Sequence, residues 1–179
     1  MTNRVRAGWP TALWTAFLAA TGLAFTICFA CITPLAGIAV VAAATLSRRA
    51  AIGAVLLVWA ANQAAGFLLL DYPRTANAYE WGVALGLATL LSLAVSDLSL
   101  RAIANPVAGP VAAVIAAFAV FEITLYVASV AGLGGLDGYG METIARVAGI
   151  NASAAALLFV LRHVGLPRLG FIATPRAAG

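Results

Sequence analysis

Lysine is absent from the chain, and all ten basic side chains among its 179 residues are arginines. That bias follows from genome composition as readily as from function. Charge of either sign is scarce. Only 9% of residues are charged, where a water-soluble domain has about a quarter, so these residues cannot clothe an aqueous surface. Histidine occurs once, as His163 beside Arg162, which excludes a bis-histidine haem within one chain and leaves no partners to complete a metal or catalytic site there. Cysteine occurs twice, as Cys28 and Cys31. The spacing is C-x-x-C, but the strand–helix setting of a redox motif is missing, and two thiols do not complete a four-ligand metal site. They read as small lipid- or core-facing residues, with a disulfide or metal role as the alternative. No H-E-x-x-H, G-x-S-x-G or phosphate-loop pattern occurs. The chain is therefore not expected to be an enzyme, to carry a cofactor or to bind nucleic acid.

What is present is apolar. The chain is 64% hydrophobic with a mean hydropathy of +1.04, which predicts an all-α integral membrane protein. Six runs are legible, at about 9–30, 33–46, 50–70, 81–96, 106–130 and 141–161. The polar stretches 71–80 and 131–140 form loops on one side, and the whole is one membrane domain. The second run is short against the roughly 20 residues of a full span. It begins before Pro34, is tilted, or is partly shielded by its neighbours. The first run follows a weakly basic start and is read as a retained helix rather than a cleaved signal.

The arginines orient the six-helix bundle. With both termini in the cytoplasm, Arg4, Arg6, Arg48, Arg49, Arg101, Arg162, Arg168 and Arg176 fall inside and only Arg74 and Arg146 outside. That is a strong positive-inside bias, and it places the chain in a cytoplasmic (inner) membrane. The acids are distributed oppositely. Asp71, Glu80, Asp137 and Glu142 lie in or beside the outer loops and Glu122 in the fifth run, leaving Asp97 inside. An acidic outer mouth favours a cationic ligand.

Polar residues inside apolar runs mark candidate sites, because amides and carboxylates cannot sit bare in hydrocarbon. Trp59, Asn62, Gln63 and Gly66 share one helix face by their i, i+3, i+4, i+7 spacing. Asn62 and Gln63 either bond to other helices or wall a ligand cavity. Glu122 accepts hydrogen bonds from a ligand, carries a proton, or pairs with Arg146; a purely structural burial is the alternative. Tyr126 follows one turn outward on the same face. Glu142 and Arg146, four apart, can neutralise each other. Asn151 lines the cavity or joins two helices. The loop "DYPRTANAYEW" brings Tyr72, Tyr79, Glu80 and Trp81 to the outer mouth, where aromatic rings stack on a flat ligand or hold a cation. In the first helix Ala12, Ala16, Ala20 and Ala24 form a small-xxx-small stripe, repeated by Gly82 and Gly86 in the fourth. Such a stripe is a docking surface within the bundle or for a partner.

The length, the six helices, the cytoplasmic termini and the Ala16–Ala20–Ala24 pattern together resemble the substrate-binding S component of energy-coupling-factor vitamin transporters. The resemblance spans most of the chain and carries no subfamily signature. It implies an outward-facing ligand pocket, with Asn62, Gln63, Tyr72, Tyr79, Glu80, Trp81, Glu122, Tyr126 and Asn151 as the candidate ligand residues. It also implies that the alanine stripe docks onto a transmembrane coupling subunit driven by cytoplasmic ATPases, and that the protein topples to carry the vitamin inward. Members of the family bind thiamine, biotin, riboflavin or cobalamin, and the acidic, aromatic mouth fits a cationic ring-bearing vitamin. Two competing classes remain: a small accessory subunit of a larger membrane complex, and an independent carrier using Glu122. They differ in whether Glu122 and Asn62 meet at one void.

Overall fold

A computed structural model describes residues 9–29, 32–136 and 139–165. Cys31, Asp137 and the arginines at 4, 6, 168 and 176 lie outside the described residues. The chain forms α1 (Trp9–Cys28), α2 (Leu35–Thr45), α3 (Arg48–Leu69), α4 (Ala76–Ala102), α5 (Ala108–Ala128) and α6 (Met141–Val160), with single wide helical turns at Ser129–Leu133 and Leu161–Gly165. Among the described residues five helices are long and apolar enough to cross a membrane; α2 is not. The protein is thus a multi-pass all-α membrane bundle. Its large apolar side chains Leu57, Leu68, Val83, Ile115, Ile123 and Val127 face outward, where lipid replaces water as the solvent.

Helix α2 has 11 residues and spans about 16 Å, half of a hydrocarbon layer about 30 Å thick. Its sequence, LAGIAVVAAAT, has no polar side until its last residue, the mark of a helix buried all round. Leu35 to Ala42 are all buried, and α2 touches every other helix. It is the core of the bundle and not a lipid-facing span. The shortness visible in the sequence therefore reflects shielding by neighbours.

The other helices are shaped around it. On α1, Trp14, Leu18, Gly22 and Thr26 face inward at every fourth position. Trp14 Nε1 donates to Thr45 Oγ1 at 2.9 Å, tying the start of α1 to the end of α2. The alanines Ala12, Ala16, Ala20 and Ala24 are offset from that row by two residues, hence by roughly 200°, and all four are exposed. Helices α4 and α5 pack closely, and most of their buried residues are small, among them Ala84, Ala88, Ser92 and Ser96 on α4 and Gly109, Ala113 and Ala117 on α5. The close approach lets Ser92 Oγ reach the Ala117 carbonyl at 3.0 Å.

Helix α4 begins earlier and ends later than the 81–96 run suggested. Thr75 caps it by accepting from Ala78 N–H, so the loop on that side shrinks to 71–75. Asn105 starts α5 by accepting from Val107 and Ala108 N–H, both at 2.9 Å. The first and last described residues lie at the same end of the bundle, called here the terminal end, together with Arg48, Arg49, Arg101 and Arg162. Arg74 and Arg146 lie at the far end.

Gly37 is where α2 meets α6. A Cβ there would run into the carbonyl oxygen of Asn151, a backbone atom that cannot swing away. Gly53 on α3 has open space. Gly37→Ala is expected to cost about 1–3 kcal/mol, against alanine's better helix propensity. Gly53→Ala is expected to be neutral or slightly stabilising. Unfolding in detergent, followed by circular dichroism, distinguishes the two.

Candidate functional site

The α1–α2 connection brings irregular backbone to the interior of the bundle. Asn62 lies 14 residues into α3, so the level of the connection is about 21 Å from the start of that helix and about 10 Å below its far end. Non-helical backbone at that depth is tolerated only where protein satisfies it or where it lines a cavity. Both occur. Asn62 Nδ2 donates to Thr33 Oγ1 at 2.6 Å and to Thr26 Oγ1 at 3.1 Å. The two threonine hydroxyls are 2.6 Å apart, and Thr26 donates onward to the Gly22 carbonyl. Gln63 Nε2 donates to Asn62 Oδ1 at 3.0 Å, fixing the amide's orientation. From the other side, Asn151 Oδ1 accepts from Gly37 N–H at 2.9 Å, while its Nδ2 donates to the Val147 carbonyl. One free N–H in the first turn of α2 is thereby satisfied.

Above this floor, because α2 fills only half of the bundle's height, lies a cavity of about 230 Å³. Ile32, Thr33 and Leu35 form its base. Asn62 of α3, Leu85 of α4, Phe121, Glu122 and Leu125 of α5, and Thr143, Ile144 and Val147 of α6 form its walls. Tyr139 closes on it from the loop before α6. The lining is mostly apolar with a few convergent polar groups, the usual make-up of a small-molecule site. Glu122 is half-buried and has no hydrogen bond or ion pair among the described residues. In particular Arg146 is exposed and pairs with neither Glu122 nor Glu142.

Tyr139 packs edge-on against Tyr126, with ring centroids 5.6 Å apart. Burial raises its hydroxyl above the usual phenol range; the Ser129 hydroxyl opposes that rise and the Glu122 charge adds to it. Tyr139 is thus a neutral hydrogen-bond donor throughout the physiological range. Ser129 Oγ acts on it from outside good hydrogen-bond geometry, and is buried without a hydrogen-bond partner among the described residues. The loop is held in place by Asn77 Nδ2, which donates to the Leu133 carbonyl at 2.9 Å. Gly132, Gly134 and Gly135 turn it with φ of 123°, 79° and 81°, a region open to glycine and strained for other residues.

Of the nine residues singled out in the sequence, the structure brings Asn62 and Glu122 to the cavity. The other seven lie elsewhere. Gln63 packs against Gly82, whose carbonyl also accepts from Trp59 Nε1 at 2.8 Å. Gly82 and Gly86 thus serve α3–α4 packing. Tyr72 covers Gly66 and meets Phe67 edge-on, and Tyr79 stacks on Phe67 at 4.9 Å. Trp81 lies beside Gly135. Glu80 and Tyr126 are exposed, and Asn151 sits one turn below the cavity, beneath its floor. Thr33, Tyr139 and Thr143 line the cavity and were not singled out. Thr33 adjoins a proline inside an apolar stretch, a signal that sequence alone offered. Tyr139 reaches the cavity only through the shape of its loop. Cys28 is exposed, and no group of metal-ligating side chains occurs among the described residues.

Because Asn62 joins three segments while Gln63 only orients it, the two amides are expected to differ. Asn62→Leu should lower stability by about 1–2 kcal/mol. Gln63→Ala should lower it by less than half as much. Equilibrium unfolding in mixed micelles reads both.

No family model, curated protein or solved structure matches this chain.

Proposed function

We propose that the chain is the substrate-binding membrane subunit of an uptake system, oriented with its arginine-rich terminal end in the cytoplasm and its cavity toward the outside. Its ligand is a small, vitamin-like molecule with one cationic or strongly hydrogen-bond-donating group on a ring. Its role is binding and not catalysis. The observation that carries this reading is the arrival of Glu122 and Asn62 at one cavity. The Glu122 carboxylate supplies the charge, Tyr139 and Thr143 supply hydroxyls, and Phe121, Leu85 and Leu125 supply apolar walls for a ring. A volume of about 230 Å³ is below that of most drug-sized ligand pockets, roughly 300–1,000 Å³. It suits a ligand of one or two rings and is too small for a corrinoid.

The resemblance to energy-coupling-factor S components extends the reading to partners: a transmembrane coupling subunit and cytoplasmic ATPases. What supports this is that Ala16, Ala20 and Ala24 face away from the bundle, leaving a smooth surface on which another helix can pack closely. The same exposed stripe also favours a second reading, a permanent accessory subunit of a larger complex.

Native mass spectrometry of the gently extracted protein separates the readings. A stoichiometric small cation is expected, and Glu122→Gln should weaken its binding by roughly tenfold to a hundredfold, the loss of a charge-assisted hydrogen bond. Ala20→Trp should release protein partners while leaving that ligand bound. Protein partners with no small molecule in any preparation would instead indicate the accessory subunit.

A further inference from the structure

A second cleft, of about 640 Å³, opens at the terminal end between the α2–α3 turn and the last turns of α4. Its walls are apolar, including Leu46, Ile52, Leu90, Leu93 and Leu98. Ile52 and Leu98 are 39% and 66% exposed, so the cleft is open sideways, to the surrounding lipid. Along α4 it runs from Arg101 down to Leu90, about 16 Å, which is the depth of one leaflet's hydrocarbon.

The polar groups of the cleft sit at one end only. Asp97 and Arg101 neutralise each other, through Nε–Oδ1 at 3.0 Å and Nη2–Oδ2 at 2.9 Å. Arg48 also lines the cleft, and its side chain has no hydrogen bond or ion pair among the described residues. It stands in the first turn of α3, whose Ser47 cap makes no side-chain bond to the free N–H groups. The lining of the mouth therefore has one unbalanced positive charge, that of Arg48. An apolar slot one leaflet deep, with an unpaired guanidinium at the level of the headgroups, matches an anionic amphiphile.

We propose that this cleft holds one anionic glycerophospholipid of the adjoining leaflet. One acyl chain lies between α2–α3 and α4, and the phosphate accepts hydrogen bonds from Arg48. The apolar walls set the occupant apart from a free anion, since a single exposed arginine holds inorganic phosphate only weakly in water. The assignment does not depend on what the far-end cavity binds.

The test is native mass spectrometry of the full chain, delipidated in detergent and titrated with phosphatidylglycerol or phosphatidylcholine of the same acyl chains. One phosphatidylglycerol should bind in preference to phosphatidylcholine. Arg48→Gln, at an exposed side chain that the fold does not need, should weaken phosphatidylglycerol binding about fivefold. Arg146→Gln, at the far end, should not. Ala94→Trp, which fills the slot, should abolish retention of both lipids. Equal binding of the two lipids, unchanged binding by Arg48→Gln, or full displacement by inorganic phosphate would overturn the proposal.

Discussion

A peptide group in the middle of a hydrocarbon layer must find its hydrogen bond within the protein, and this bundle is organised around one place where that demand is acute. Helix α2 begins halfway through, and its approach, Ile32–Pro34, is not helical. Asn151 meets that demand at the Gly37 N–H in the first turn of α2, while Asn62 ties the side chain of Thr33, in that approach, to Thr26 of α1. Each unsatisfied polar group at this depth would cost several kcal/mol. Those bonds link α3 to α1 and to the start of α2, and α6 to α2, alongside the apolar packing.

The same arrangement produces the cavity. A full-length α2 would have occupied the far half of the bundle's interior; an 11-residue helix leaves it open. Asn62 serves both purposes, since its amide supports the α1–α2 connection while also lining the void above it. Bonding between helices and walling a cavity are two aspects of one position.

How much was readable beforehand divides along physical lines. Membrane class comes from hydropathy, and the choice of Asn62 and Glu122, which both reach the cavity, from the cost of burying polar atoms; both are local properties. The shielding of α2 was half-visible in its length and its lack of a polar side. The fate of the aromatic loop was not. Tyr72, Tyr79 and Trp81 carry the composition of a ligand site, yet they pack on Gly66, Phe67 and Gly135. Composition states what a side chain can do, while the closure of the loop decides what it meets. Tyr139 was missed for the converse reason, since it lies in the loop between α5 and α6, where no helical periodicity specifies the place of its ring.

The glycines of that loop also set how it is held beside the cavity. Gly132 and Gly134 have positive φ with open space around them, so their constraint lies in backbone torsion and not in crowding. Together with the Asn77 bond, they fix the path of the chain just after α5. The conformational entropy of that stretch is spent during folding, so nothing entering the cavity would have to order it.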